Sequence, residues 1–299
     1  MPVMLLYFEE DHASATQIAQ AAHMELAVVA HHRFPDGELK LRLPAVLPPR
    51  VVLLRTLDEP NEKLVELLLV ARTARELGAK HLTLVAPYLA YMRQDMAFHS
   101  GEVISQRVIG RFLAELFDAV VTVDPHLHRI ATLQEAVPVP QAIVLSGAPQ
   151  LADLIASQHP DALLIGPDEE SAQWIAQAAV RHGFDYGVCR KVRHGDREVT
   201  IELPAIPVAG RHVVVLDDVA SSGHTLACAA RMLLTAGAAS VNVAVTHALF
   251  AGDALDVILA SGVGMVWSTD CVAHPSNAVS MAAPIATALS SITPPESTP

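Results

Sequence analysis

The sequence predicts an α/β protein with two similar domains, each a mostly parallel β-sheet flanked by helices. Short apolar runs typical of buried strands alternate along the chain with longer segments of helical periodicity. A length of 299 residues suits two domains better than one. An internal repeat in the chain points to the same organisation.

The predicted strands are apolar and largely aliphatic, and they cover residues 51–54, 82–86, 120–123, 162–165, 213–216 and 241–246. The predicted helices cover residues 61–77, 104–116, 171–182 and 226–235. We expect an N-terminal domain over residues 1–143 and a C-terminal domain over residues 144–290. Residues 291–299, rich in Pro, Ser and Thr, are expected to be a disordered tail.

The repeat consists of a strand, a loop, a helix, a Gly-Ala pair and a second strand, over residues 51–86 and again over residues 213–245. Arg55-Thr56 stands in the first copy where the second has Asp217-Asp218. The loop of the first copy is longer and lacks glycine. We interpret the segments as two copies of one α/β unit, of which the C-terminal copy alone keeps its functional loop. Chance similarity between two strand–helix–strand units is the alternative.

The loop of the second copy carries the clearest functional signal. Its strand ends on Asp217 and Asp218, and small residues then lead into a helix. Backbone N–H groups at a helix N-terminus favour an anion, Ser222 and Thr225 add hydroxyl donors, and Gly223 lets a phosphate approach closely. The two carboxylates can hold ribose hydroxyls or Mg²⁺. The segment therefore predicts a site for a phosphorylated sugar, with an ordinary strand–helix turn as the alternative.

Bulk composition narrows the classes of partner. Hydrophobic residues make up 52% of the chain and aromatic residues 4%, which predicts aliphatic cores. The sequence has no run of 18 apolar residues and no basic N-terminal region, so we expect neither a membrane span nor a secretory signal. Three scattered cysteines indicate reduced thiols and a cytoplasmic protein. A net charge of −12 argues against nucleic acid and anionic lipid as partners.

Six segments resemble, in order and in spacing, the motifs of the ribose-phosphate pyrophosphokinase family: RFPDGE at 33–38, PYLAYMRQD at 87–95, VDPH at 123–126, PD at 167–168, KVR at 191–193 and the loop at 217–226. The resemblance covers essentially the whole chain. It implies two phosphoribosyltransferase-like domains. It also implies transfer of the β,γ-diphosphoryl group of ATP to the 1-hydroxyl of ribose 5-phosphate, giving AMP and 5-phosphoribosyl-1-pyrophosphate (PRPP).

The resemblance assigns one group of residues to ATP: Phe34, Asp36, Glu38, Arg93, Gln94 and Asp95. An aromatic ring can stack on the purine, and neighbouring carboxylates can accept hydrogen bonds from its amino group. A guanidinium suits two-point contact with a phosphate. For residues 33–38 a surface turn around Pro35-Asp36-Gly37 is the alternative.

The resemblance assigns a second group to ribose 5-phosphate: Asp217, Asp218, Ser221, Ser222, Gly223, His224 and Thr225. Lys191 and Arg193 are the implied catalytic cations, which could close over the triphosphate and stabilise the charge that builds there. A solvated charged hairpin is their alternative. His126 and Asp168 are the implied ligands of Mg²⁺, the expected cofactor, although imidazole is an unusual ligand for this ion.

The chain departs from the family pattern in its phosphate loop and after its P-D motif. Ser221 stands where Asp is common, and His224 stands where Gly is usual, which places a side chain at a position that favours none. Glu169-Glu170 follow Asp168 in place of glycines. These acids either bring in another Mg²⁺ or start the helix at Ser171 with favourable charge, and we favour the helix start.

The resemblance leaves two other functions open: a non-catalytic homologue that modulates the enzyme, and a phosphoribosyltransferase that consumes PRPP. The catalytic cations and the acid pair are retained, which argues against the first. The motifs at 33–38 and 93–95 are not explained by the second. The resemblance also implies a homodimer or a larger homo-oligomer.

Met96 replaces the Arg that commonly follows R-Q-D, and residues 96–102 lack the basic side chains usual in the regulated members of the family. Because phosphate and ADP need cationic donors, we expect activation by phosphate and inhibition by ADP at that site to be weak or absent. Titrating both anions in an activity assay measures this, and strong responses to both would contradict it.

Overall fold

The structure of the chain, a computed structural model, describes residues 2–127, 129–193 and 199–293. It divides into two compact units, the first formed by Met1–Leu145 with Ala282–Pro299 and the second by Ser146–Met281. Of the predicted disordered tail, residues 294–299 lie outside the described residues. The prediction was wrong for residues 291–293, because Ser291 ends a helix and Ile292 is buried. No helix among the described residues is long and apolar enough to cross a membrane.

The strands of the first unit are β1 (Val3–Tyr7), β2 (Glu25–Val28), β3 (Ala30–Arg33), β4 (Leu39–Arg42), β5 (Arg50–Leu54), β6 (His81–Ala86), β7 (Ala119–Val123) and β8 (Gln141–Leu145). Its helices before residue 145 are α1 (His12–Ala22), α2 (Pro60–Glu76), α3 (Ser105–Leu116) and α4 (Leu133–Ala136). Six strands form a parallel sheet in the order β2-β1-β5-β6-β7-β8, and β3 and β4 form an antiparallel hairpin. The central strands are buried and aliphatic, as expected for a sheet covered on both faces.

The strands of the second unit are β9 (Leu163–Gly166), β10 (Asp185–Val188), β11 (Arg190–Arg193), β12 (Val199–Glu202), β13 (His212–Ala220), β14 (Ser240–Ala248), β15 (Val266–Thr269) and β16 (Asn277–Val279). Its helices are α5 (Ala148–Gln158), α6 (Ala172–His182), α7 (His224–Thr235) and α8 (Ala254–Leu259). The parallel sheet has the order β10-β9-β13-β14-β15-β16, and β11 and β12 form an antiparallel hairpin.

The two units have the same topology, which confirms the prediction of two similar α/β domains. In each sheet the strand that follows the hairpin, β5 or β13, takes the third position, and the remaining strands follow in chain order. The repeat therefore extends well beyond the segments in which the sequence shows it. It also makes the hairpin of residues 30–42 the counterpart of the hairpin of residues 190–202.

The last helix, α9 (Ala282–Ser291), belongs to the first unit, whereas the sequence-based division placed it in the second domain. It packs against α1 and against β7 and β8. The guanidinium of Arg50 donates to the carbonyl of Ile292 at 3.0 Å, and the amide of Gln141 donates to the carbonyl of Thr293 at 2.6 Å. The chain thus returns to its first unit after completing the second sheet.

Strand β13 is longer than predicted. The prediction ended the strand at residue 216 because two carboxylates follow, but β13 continues to Ala220 and stays paired with β14. Asp217 lies opposite Val245, and Val219 lies opposite His247. Main-chain pairing with β14 satisfies the backbone whatever the side chains are, so polar residues do not end the strand.

A buried arginine follows β5, at the position in the first unit that corresponds to Asp217 in the second. Arg55 is 1% exposed, and its Nε donates to Glu66 at 2.8 Å, its Nη1 to Asp11 at 3.0 Å and its Nη2 to Glu10 at 2.9 Å. The guanidinium also lies 4.3 Å from the centre of the Phe8 ring. The first unit therefore neutralises the charge at this strand end with its own side chains.

Replacing Arg55 with leucine leaves the buried Glu66 carboxylate without its cation. We expect the free energy of unfolding to fall by about 3–5 kcal/mol, the usual cost of an uncompensated buried charge. Arg33→Ala, which removes an exposed ion pair with Glu62, should lower it by about 1 kcal/mol or less. Urea denaturation followed by circular dichroism measures both losses, and equal small losses would contradict this role of Arg55.

Candidate functional site

The acid pair of the second unit lies within β13. Successive side chains of a strand point to opposite faces, and Asp217 is partly exposed while Asp218 is 2% exposed. The backbone N–H of Asp218 donates to Oδ1 of Asp217 at 3.0 Å. The two carboxylates therefore occupy different environments, and Asp217 is the one that faces the more open side of the strand.

The electrostatic environment of Asp217 is unfavourable to its ionised form. Burial raises the pKa of this carboxyl well above its usual range, and the negative charges of Asp218 and Asp168 raise it further. The backbone N–H of Asp218 opposes the rise, but it does not outweigh it. A cation, or hydroxyl groups that donate to the carboxylate, would relieve this accumulation of negative charge.

Asp168 follows β9 and holds the start of α6. One of its carboxylate oxygens accepts a hydrogen bond from the N–H of Glu170 at 3.1 Å, and its carbonyl accepts one from the hydroxyl of Ser171 at 2.5 Å. Glu169–Ser171 form a turn of 3₁₀ helix that runs into α6. The two glutamates thus start the helix, as we favoured from the sequence.

The small-residue loop connects β13 to α7. Gly223 has φ +73° and caps α7, which has no side-chain cap at its N-terminus. A Cβ at this position would lie 2.8 Å from the carbonyl oxygen of Ala254, so the close approach that requires glycine is to α8. The first-turn N–H groups of α7 have no intrahelical acceptor and can serve an anion.

The polar side chains of this loop differ in exposure. Ser222 and His224 are exposed, and Ser221 and Thr225 are half-buried. His224 is the first residue of α7 and has helical backbone geometry, so the difficulty expected from placing a side chain there does not arise. The loop is fixed by the chain after β14, since the N–H of Ala251 donates to the carbonyl of Ser221 at 3.0 Å. Sequence reasoning missed this support.

Lys191 and Arg193 lie on β11 of the second hairpin, opposite Ile201 and Val199 of β12. The side chains of both cations, and residues 194–198, lie outside the described residues. The two strands form a sheet of their own, separate from the six-stranded sheet, and the predicted role of the two cations stays a prediction.

The residues at 34–38 form the turn of the first hairpin. The N–H of Phe34 donates to the carbonyl of Glu38 at 2.8 Å, and the N–H of Glu38 donates to Oδ1 of Asp36 at 3.2 Å. All three side chains are exposed, and Phe34 is 40% exposed with the edge of the His32 ring against it. The surface turn and the predicted adenine contact are therefore compatible, because the turn presents the aromatic ring to solvent.

The motif segment after β6 places its three polar residues at different depths. Arg93 is exposed, Gln94 is half-buried, and Asp95 is buried. Oδ1 of Asp95 accepts a hydrogen bond from Nη1 of Arg129 at 2.6 Å. Arg129 lies three residues beyond His126, which is half-buried on the loop after β7.

Two residues of this region were not predicted from the sequence, Arg129 and Gln106. Arg129 follows the V-D-P-H segment, and a basic residue so close to a motif was the available signal. Gln106, buried on α3, donates to the carbonyl of Met92 at 2.9 Å, and its N–H donates to the carbonyl of Gln94 at 3.3 Å. It anchors the motif segment to α3, and the sequence offers no sign of this.

Among the described residues, one group of possible metal ligands lies within 4.8 Å: His31, Glu62 and Glu66. Both carboxylates in this group already form ion pairs, with Arg33 and Arg55 respectively. The group is therefore an ion-pair network. Of the two predicted metal ligands, His126 lies in the first unit and Asp168 in the second.

Residues 3–116 match the family model of the N-terminal domain of ribose phosphate pyrophosphokinase, and residues 144–260 match that of the phosphoribosyl transferase domain. The chain is 37% identical to a ribose-phosphate pyrophosphokinase of Methanopyrus kandleri, over 92% of this chain and 94% of that protein. It is 34% identical to one of Halobacterium salinarum, over 96% of this chain and 100% of that protein.

The crystal structure of phosphoribosylpyrophosphate synthetase from Mycobacterium smegmatis has a similar fold. It superposes with a TM-score of 0.82 at 21% identity, covering 97% of this chain and 98% of that chain. At this identity the likeness concerns the fold, and it confirms two phosphoribosyltransferase-like α/β domains.

The raised pKa of Asp217 gives stability a pH dependence of defined sign. A carboxyl that holds its proton more tightly in the folded chain destabilises the fold as the pH rises above its unfolded pKa of about 4. We expect Asp217→Asn to raise Tm at about pH 7 in metal-free buffer, and this gain to vanish near pH 4. Thermal unfolding across this range measures the difference.

Asp153 is a control of opposite sign. Hydrogen bonds from Arg181, and then from His182, lower the pKa of this exposed carboxyl to about 2. Its ionised form stabilises the fold above the unfolded pKa, and this contribution is lost as the pH falls towards 2. Asp153→Asn should therefore lower Tm at neutral pH. A Tm of Asp217→Asn equal to or below that of the unaltered protein at neutral pH would contradict the assignment.

Proposed function

The chain belongs to the ribose-phosphate pyrophosphokinase family, and we propose that it transfers the β,γ-diphosphoryl group of ATP to the 1-hydroxyl of ribose 5-phosphate. The products are PRPP and AMP. The observation that carries this proposal is similarity over both units to relatives of that name. A phosphoribosyltransferase that consumes PRPP would need the second unit alone, and it would leave the first unit unexplained.

In the second unit the start of α7 binds the 5-phosphate. Its free N–H groups and the hydroxyls of Ser222 and Thr225 donate to the phosphate oxygens. Asp217 accepts hydrogen bonds from ribose hydroxyls, which relieves the unfavourable burial of its charge. The sugar is then held at both ends, and its 1-hydroxyl has a fixed direction of attack.

In the first unit the turn of the hairpin binds adenine. The exposed ring of Phe34 stacks on the purine, and Asp36 and Glu38 accept hydrogen bonds from its amino group. The exposed guanidinium of Arg93 and the amide of Gln94 donate to the phosphates.

The reaction needs charge stabilisation more than covalent chemistry. The 1-hydroxyl oxygen attacks the β-phosphorus and releases its proton to water, the bond from this phosphorus to the oxygen that bridges it to the α-phosphorus breaks, and AMP leaves with the negative charge. Lys191 and Arg193 stabilise the charge that builds on the transferred group and on the leaving oxygen. Their backbone lies on a hairpin that departs from the sheet, which suits groups that approach the substrate last.

The acidic residues of the second unit fit Mg²⁺, which prefers carboxylate oxygens. Asp168 and Asp217 both carry such oxygens, and their charges act on each other. When bound, the ion would neutralise part of the polyphosphate charge. Asp168 fits this role better than His126, because Mg²⁺ takes imidazole poorly.

We propose a homodimer or larger homo-oligomer and a cytoplasmic location on the family resemblance.

Phosphorus NMR of the purified protein with ATP, ribose 5-phosphate and Mg²⁺ tests the reaction. We expect AMP and a new diphosphate ester, both dependent on the sugar. Lys191→Ala and Arg193→Ala should each lower kcat by about a hundredfold or more with little change in KM. Asp217→Asn should raise KM for ribose 5-phosphate.

Three results would contradict the reaction or these roles. Intact ATP in a folded sample would favour a non-catalytic homologue. Pyrophosphate release from PRPP and a purine or pyrimidine base would favour a phosphoribosyltransferase. Equal losses of kcat and substrate affinity in the Lys191 and Arg193 variants would remove their transition-state role.

A further inference from the structure

The ion pair of Asp95 and Arg129 joins two loops at one edge of the first sheet. Asp95 follows β6 and Arg129 follows β7, and these strands are parallel neighbours. The carboxyl ends of parallel strands lie at the same edge, where α/β proteins bind their ligands. The two partners differ greatly in exposure, because the side chain of Asp95 is 2% exposed and that of Arg129 is 55% exposed.

Burial of the Asp95 carboxylate costs free energy of folding, and what it provides in return is a fixed position for the guanidinium of Arg129. Oδ1 of Asp95 accepts from Arg129, whereas Oδ2 is buried and has no hydrogen-bond partner among the described residues. An ionised carboxylate with one unsatisfied oxygen is a poor source of stability. Its effect is to fix Arg129, which would otherwise be a free side chain on the surface.

The anchored guanidinium keeps donors available. Nη1 is taken by Asp95, and in the described part of the chain Nε and Nη2 of Arg129 donate to no protein group. These N–H groups can make a two-point contact with phosphoryl oxygens, a geometry that lysine cannot reproduce.

The loops around Asp95 and Arg129 carry few cations that could bind the phosphates of ATP. Residues 96–102 contain neither Lys nor Arg, and the whole chain has a net charge of −12. Arg93, two residues before Asp95, is exposed and forms no ion pair within the described ranges. Arg93 and Arg129 thus place two guanidiniums on two adjacent loops that one ion pair holds together.

We propose that Arg129, anchored by the buried carboxylate of Asp95, donates to the polyphosphate chain of ATP. Asp95 is then a positioning residue, and Arg129 is the residue that contacts the substrate. This inference deepens the proposed function and rests on it, since it names a further contact of the same ATP site.

The test compares Arg129→Ala, Arg129→Lys and Asp95→Asn with the unaltered protein. ATP binding is measured by calorimetry with Mg²⁺ and no sugar, and KM values are measured for both substrates. We expect Arg129→Ala to weaken ATP binding roughly ten- to a hundredfold, with KM for ribose 5-phosphate unchanged. Arg129→Lys should restore little of the loss, because an ammonium cannot both hold Asp95 and present a planar fork.

The anchoring role has its own readout. Asp95→Asn should weaken ATP binding less than Arg129→Ala does, and adding it to Arg129→Ala should cause no further loss. Arg75→Ala is the matched control, because Arg75 pairs with Asp118 at 2.7 Å in the same unit and lies outside both loops. Its ATP affinity should stay within about twofold of the unaltered protein.

Several outcomes overturn the inference. Unchanged ATP affinity in folded Arg129→Ala contradicts it, and so does a rise in KM for ribose 5-phosphate alone. Additive losses of ATP affinity in the variant that combines Asp95→Asn with Arg129→Ala contradict the anchoring role. If Arg129→Ala does not fold, by circular dichroism, Arg129→Lys and Arg129→Gln decide in its place. Weakened ATP binding without AMP formation would leave the inference standing and refute the proposed reaction. AMP formation by the unaltered protein, together with unchanged ATP binding in Arg129→Ala, would support the proposed reaction and refute the role of Arg129.

Discussion

Each sheet carries a charged side chain at the same position of its third strand, directly after the apolar run: Arg55 in the first unit and Asp217 in the second. An ionised side chain buried at this position must be neutralised by something. In the first unit the charge of Arg55 is neutralised within the protein, because its guanidinium donates to Glu66, Asp11 and Glu10. In the second unit Asp217 faces other carboxylates instead, and its pKa is raised. The charge is thus balanced within the first unit, whereas in the second unit we propose that a ligand balances it.

This difference in charge between the two units indicates which substrate we propose for each unit. The second unit offers carboxylates beside a helix N-terminus, which suits a molecule carrying both hydroxyls and a phosphate. The first unit offers guanidiniums on exposed loops, which suit a longer polyphosphate. A reaction between a sugar phosphate and a nucleoside triphosphate therefore explains why both copies are present.

The sequence predicted the alternation of strands and helices and the short loop between β13 and α7. It failed where contacts between distant residues decide the structure. Strand β13 passes through two carboxylates because β14 pairs with it, which no local pattern reveals. The helix after residue 281 joins the first unit because α1 and two of its strands pack against it. Asp95 and Arg129 are 34 residues apart and meet only because β6 and β7 are neighbours. Gly223 was predicted to admit a phosphate, whereas the close neighbour that the structure shows is the carbonyl of Ala254, which lies far away in the sequence.

Duplication also explains why two dissimilar motifs lie on equivalent hairpins. The segment proposed to bind adenine forms the turn of β3 and β4. The cations proposed to be catalytic lie on β11, in the hairpin at the same position of the second unit. Surface connections in general tolerate more sequence change than buried strands do. The strands beneath cannot diverge as freely, because a charge gained or lost there must be balanced at once. After the matching apolar runs of β5 and β13, Arg55-Thr56 stands in the first copy and Asp217-Asp218 in the second. The charge of Arg55 is balanced within its own unit, whereas we propose that the charge of Asp217 is balanced by substrate.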